Sequence, residues 1–78
     1  MNETDERKIR EQRILTAYTN QIKLHLSLIN KSWRNGYVKE LGNSFFIFED
    51  DENGKEAIFY LELKKVQPFM KNQNKEEG

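Results

Sequence analysis

The sequence contains no cysteine, one proline, one histidine and four glycines in 78 residues. Without cysteine there is no disulfide framework, and without a His/Cys cluster there is no structural zinc. No apolar run approaches the roughly 18 residues of a membrane span. No secretory signal pattern precedes the fold either, so the expectation is a cytoplasmic protein with no membrane contact. Net charge is absent too: 13 basic residues balance 13 acidic ones. That balance excludes the strongly basic footprint of a protein holding many phosphates. There is no Gly-rich phosphate loop and no nucleophile–base–acid arrangement, so neither an enzyme nor a cofactor is expected.

What is present is concentrated. Hydrophobic residues are 36% of the chain, and nearly all the large ones fall between Ile22 and Phe69. The polar ends, 1–5 and 71–78, can bury almost nothing and are expected to be disordered, leaving one domain over residues 6–70. About 60 ordered residues make a marginal core, and with no disulfide or metal the remaining support is association between copies. The charges are also unevenly placed. Residues 21–48 carry a surplus of bases, 49–63 a surplus of acids, and 64–78 a surplus of bases again. One face can therefore be basic on a neutral chain.

Thr4 is placed to cap a helix whose first turn holds Asp5 and Glu6, with Glu3–Arg7 and Glu6–Arg10 as i,i+4 pairs. Ile14, Leu15 and Tyr18, with Ile9 behind them, form its weak apolar side. At Gln21 the period changes to two: Ile22, Leu24 and Leu26 alternate with Lys23, His25 and Ser27 as a first strand. Asn30-Lys31-Ser32 is a turn. Gly36 reads as a strand glycine at a bend, with Tyr37, Val38 and Leu41 continuing the second strand. Gly42-Asn43 signals a hairpin into Ser44–Asp50, which is apolar on both faces and so is central or meets a partner. A second hairpin closes at Asp51–Gly54. Ala57–Leu63 is the fourth strand and Lys64–Phe69 the fifth, with Pro68 where an edge strand ends. The fold class is therefore mainly β: a short N-terminal helix, then five antiparallel strands in a strongly bent SH3-like or OB-like barrel.

Three segments resemble the Sm-like superfamily, and within it bacterial Hfq. LINKSWRNG (Leu28–Gly36) is similar to the end of the family's first strand, its turn and the glycine of its second strand. GYVKELGNSFFIFED (Gly36–Asp50) runs without a gap against the family's G-x-I-x-x-F-D-x-F segment. GKEAIFY (Gly54–Tyr60) is similar to the lead-in to its Tyr-Lys-His signature. The resemblance covers residues 6–69 and implies an Sm-like barrel. It further implies a homo-oligomeric ring, hexamer or heptamer, in which the fourth strand pairs with the neighbour's fifth, binding single-stranded RNA. The departures fall on the chemistry. Leu61 and Glu62 stand where the family has Lys and His, Gly42 where it has aspartate, and Ser44 at its base-stacking aromatic position. The Arg/Lys-Gly pair of other Sm proteins is missing from the last turn.

The residues expected to contact RNA are Trp33, Arg34, Asn43, Phe45 and Tyr60, with Lys64 and Lys65. An indole and a guanidinium stack on unpaired bases, and an aromatic strand offers a platform for the same contact. Each has a plainer reading: Phe45–Phe48 as core and subunit interface, Trp33 packed under a loop, Tyr60 at the barrel rim. His25 stands alone, too few ligands for a metal. Glu49–Glu52 reads as a solvated hairpin tip. The rival function is a protein-interaction module, an SH3-like barrel capturing a peptide or protein partner. A monomeric or dimeric OB-like single-strand binder is a third.

Overall fold

The computed structural model describes residues 3–70, with side chains from Glu6 onward. One helix, α1 (Glu3–Asn20), precedes β1 (Leu24–Leu28), β2 (Trp33–Leu41), β3 (Phe45–Asp50), β4 (Gly54–Phe59) and β5 (Leu63–Pro68). A 3-10 turn, Tyr60–Glu62, joins β4 to β5. All pairings are antiparallel and the order across the sheet is β4-β3-β2-β1-β5, which leaves β4 and β5 as edges. The expected disorder over 71–78 falls outside the described residues, as do residues 1 and 2. No described helix is long and apolar enough to cross a membrane.

The period-two pattern is what builds the core. Leu24, Leu26 and Leu28 are buried on one face of β1, while His25 and Ser27 are half-buried on the other. In β3, Phe46 and Phe48 are fully enclosed, with ring centroids 6.2 Å apart in an edge-to-face arrangement. Val38, Ile58, Leu63 and Val66 complete the same cluster. Gly36 faces this interior where β2 meets β3. A Cβ there would stand 1.9 Å from the Glu49 carbonyl oxygen, so only glycine allows the two backbones to approach. The β2–β3 register shifts between Val38 and Glu40, and the β1–β5 register between Ser27 and Leu28. Each irregularity adds local bend and twist, which curls a five-stranded sheet around a small core.

Three expectations are corrected. The buried face of α1 is Ile14 with Ala17, one turn apart, whereas Leu15 and Tyr18 are exposed. A small alanine lets the helix approach the sheet, and the larger neighbours point away. The helix also begins at Glu3, so Thr4 lies within its first turn; among the described side chains the i,i+4 ion pair is Arg7–Glu11 at 3.4 Å, while the expected Glu3–Arg7 pair falls outside them. Second, β4 stops at Phe59 and not at Leu63. The Tyr60 N–H still reaches the Ser44 carbonyl, but Glu62 already gives its carbonyl to the Ile29 N–H. Third, Asp50 is buried, not part of a solvated tip.

Asp50 ties the β3–β4 hairpin. Its Oδ1 accepts the Asn35 N–H, and its Oδ2 accepts the N–H groups of Glu52 and Asn53 and the Asn53 side-chain amide, all at 2.9–3.1 Å. Burial by itself pushes the carboxyl up, but the three amides and nearby Arg34 outweigh it and hold Asp50 below its ordinary 3.8. Because the folded-state value is the lower one, the stabilisation is present above about pH 4 and is lost as pH falls through the folded value. Asp50→Ala is expected to cost about 1–3 kcal/mol at neutral pH, since it leaves buried donors unpaired. In denaturant titrations that deficit should shrink as the pH is taken below the ordinary value. A deficit independent of pH would show that the carboxylate charge contributes nothing.

Candidate functional site

The outer side of β1, β2 and β5, opposite the core, is built by strand pairing. Ser27 lies between Trp33 of β2 and Lys65 of β5, and His25 lies between Asn35 and Gln67. The short turn after Leu28 closes this hairpin. The Asn30 side-chain oxygen accepts the Ser32 N–H at 3.0 Å and its hydroxyl at 2.6 Å, and Lys31 takes a positive φ of 75°. The result is an open groove of about 450 Å³ lined by His25, Ser27, Leu28, Lys31, Ser32, Trp33, Lys64 and Lys65.

Trp33 is 54% exposed, and its ring lies 5.9 Å from that of His25, tilted 32°. His25 Nδ1–H donates to Asn35 Oδ1 at 2.6 Å, which fixes the imidazole beside the indole. The ion pairs found among the described residues engage Arg7, Lys23, Arg34 and Lys39. Lys31, Lys64 and Lys65 are in none of them. A neutral chain thus presents one basic groove with an exposed aromatic plane, while its acids gather at the β3–β4 hairpin. A second depression, about 320 Å³, adjoins the other side of Trp33, between the β2 start and residues 50–53.

The residues expected to contact RNA divide. Trp33, Lys64 and Lys65 share the groove. Arg34 points inward: its Nε donates to Glu56 Oε2 at 2.7 Å and its Nη1 to the Trp33 carbonyl at 2.9 Å. It is a structural tie between β2 and β4, since a half-buried guanidinium needs a partner on the neighbouring element. Asn43, Phe45 and Tyr60 lie at the far end of β2, where the Gly42–Ser44 turn meets the 3-10 turn. Phe45 pairs with Phe59 across β3–β4, ring centroids 5.9 Å apart. Tyr60 packs on Phe46 at 5.3 Å, and burial, helped by Glu11 of α1, pushes its hydroxyl above the ordinary 10.0. It therefore stays protonated and serves the core edge.

His25 and Lys31 were not singled out as site residues from the sequence, yet both line the groove. Period two already placed His25 on the outer face of the first strand. A tight turn then carries the chain back so that Trp33 lies beside it, and this pairing is the signal that was there to use.

No protein-family model matches the sequence, and no curated protein matches it. Among solved structures, the fold is similar to a crystal structure of the pleiotropic translational regulator Hfq. The TM-score is 0.65 at 12% identity, covering 76% of this chain and 97% of that one. The fold is thus Sm-like, as Gly36–Asp50 and its flanking segments implied.

Proposed function

We propose that this Sm-like chain is a non-enzymatic cytoplasmic protein that assembles into a homo-oligomeric ring and binds single-stranded RNA in the groove around Trp33. The observation that carries the reading is the groove itself. It sets an exposed indole beside His25 and three lysines that join none of the ion pairs among the described residues, the combination that stacks on bases and holds the backbone between them. Two further features favour assembly. β4 and β5 both present unpaired backbone at opposite edges of one sheet, and a ring in which each pairs with the next subunit removes both edges. Beside the β4 edge, Phe45, Phe59 and Leu61 are exposed together, an apolar surface of the kind association covers. Repetition around a ring turns a weak nucleotide contact into avidity.

Titration of labelled uridine-rich and adenine-rich oligonucleotides, at low and moderate salt, tests the reading. Trp33→Ala is expected to weaken binding by about 1–3 kcal/mol per site, the worth of one base–aromatic stack. Tyr60→Phe should leave affinity unchanged, because that hydroxyl lies away from the groove. Failure of any single-stranded RNA to bind below tens of micromolar in low salt would sink the RNA reading. Phe45, Phe59 and Leu61 would then carry the rival reading, a protein-interaction module.

A further inference from the structure

The open edge of β5 is not bare. The Phe69 N–H donates to the Lys23 carbonyl at 2.9 Å, in register with the Leu24–Pro68 and Leu26–Val66 pairs. Antiparallel bonding alternates every second residue, so His25 and Gln67 exchange ladder bonds while Val66 turns its N–H and C=O to the outside. Arg13 of α1 donates from Nη1 to that Val66 carbonyl at 2.9 Å. This is the distance at which the amide nitrogen of an added strand would stand. The same parity, counted from the Tyr60–Ser44 bond, turns the Phe59 N–H outward on β4. There the Glu62 carboxylate lies at a looser 3.4 Å. Along β5 the arginine lies in a groove of about 480 Å³ between α1 and the strand, where Ile9, Ile22 and Pro68 leave apolar surface uncovered.

We propose that Arg13 is an edge cap: it occupies the acceptor of β5 in the lone subunit, and a strand of a second copy displaces it on assembly. The proposal rests on the ring reading above and adds how assembly through that edge is controlled. A guanidinium on a helix holds a carbonyl without extending the sheet, so it blunts the edge against unselective pairing while leaving it available to the right strand. Glu62 does the same for a donor on β4, more weakly. Strand addition must first break the Arg13 contact, so association is weaker than the bare edge would allow.

The test is sedimentation of the full chain from micromolar to millimolar concentration. Arg13→Met keeps the unbranched stem against the sheet and removes every donor. Arg7→Met removes one charge from the solvent side of the same helix and serves as control. The expected result is that Arg13→Met assembles at about five- to tenfold lower concentration than the parent, the equivalent of one net hydrogen bond of ordinary strength, while Arg7→Met does not move. Amide exchange at Val66 should slow as assembly proceeds in both parent and variant. Unchanged or weaker assembly of Arg13→Met, with the parent still forming oligomers, overturns the cap and leaves the ring standing. Monomers throughout, for parent and variant alike, overturn both. Assembly that leaves Val66 exchange fast places the interface elsewhere and also overturns the cap. Helical content by circular dichroism shows that α1 stays formed, and Arg13→Leu, which also lacks any donor, gives a second variant should the methionine form fold poorly.

Discussion

Gly36→Ala is expected to leave the chain largely unfolded. The added methyl would sit 1.9 Å from the Glu49 oxygen and 2.8 Å from its carbonyl carbon, both backbone atoms with no rotamer to yield. Relief requires β2 and β3 to move apart along the pairs that flank the site, Gly36–Asp50 and Tyr37–Glu49. It would also disturb the Asp50 bond to the Asn35 N–H immediately beside it. A cost of about 4 kcal/mol or more is at the extreme for single substitutions and comparable to the whole stability of so small a domain. Far-ultraviolet circular dichroism and the dispersion of amide resonances would read it directly. A cooperative melt within a few degrees of the parent would mean that the strands tolerate separation at this point.

Phe48→Ala carries the next largest effect. Phe48 is wholly enclosed and shares the inner face of β3 with Phe46, while Glu49 and Phe45 point outward. Truncation removes the ring and leaves a cavity beside Phe46 in the core, so the expected loss is about 3–5 kcal/mol. For a domain of this length each kcal/mol lowers the melting temperature by roughly 4–8 °C. Phe45→Ala, on the opposite face and 37% exposed, should cost far less in dilute solution. The comparison must be made at one protein concentration, because any association between copies would add stability by mass action. Similar losses for the two phenylalanines would show that both faces of β3 are enclosed in the folded chain.

The sequence made the sheet legible because its signals are local. Alternation placed Leu24 and Leu26 inside, Gly36 marked the bend and Pro68 marked the end of an edge strand. The helix face was misread because hydrophobicity and burial part company there. Ala17 is small enough to let α1 settle, while Leu15 and Tyr18 lie on the wrong arc. Asp50 looked like one more acid in a charged tip, since nothing in the run Glu49–Glu52 tells which carboxylate will meet three amide groups. The candidate site was half legible for the same reason. Trp33, Lys64 and Lys65 come from β2 and β5, and only pairing through β1 makes them neighbours. Arg34 looked available because its partner, Glu56, is 22 residues away in sequence on a strand two places across the sheet.

The two depressions flanking Trp33 give this surface a handedness. On one side stand Lys31, Lys64 and Lys65, and on the other Asp51 and Glu52, with Trp33 as the ridge between them. A polyanion laid over the indole would be drawn down one slope and repelled from the other, which would leave it one track across this face and not two. The opposing charges of the two slopes cancel at long range. The difference between the slopes is felt only within about a Debye length, roughly 8–10 Å at physiological salt.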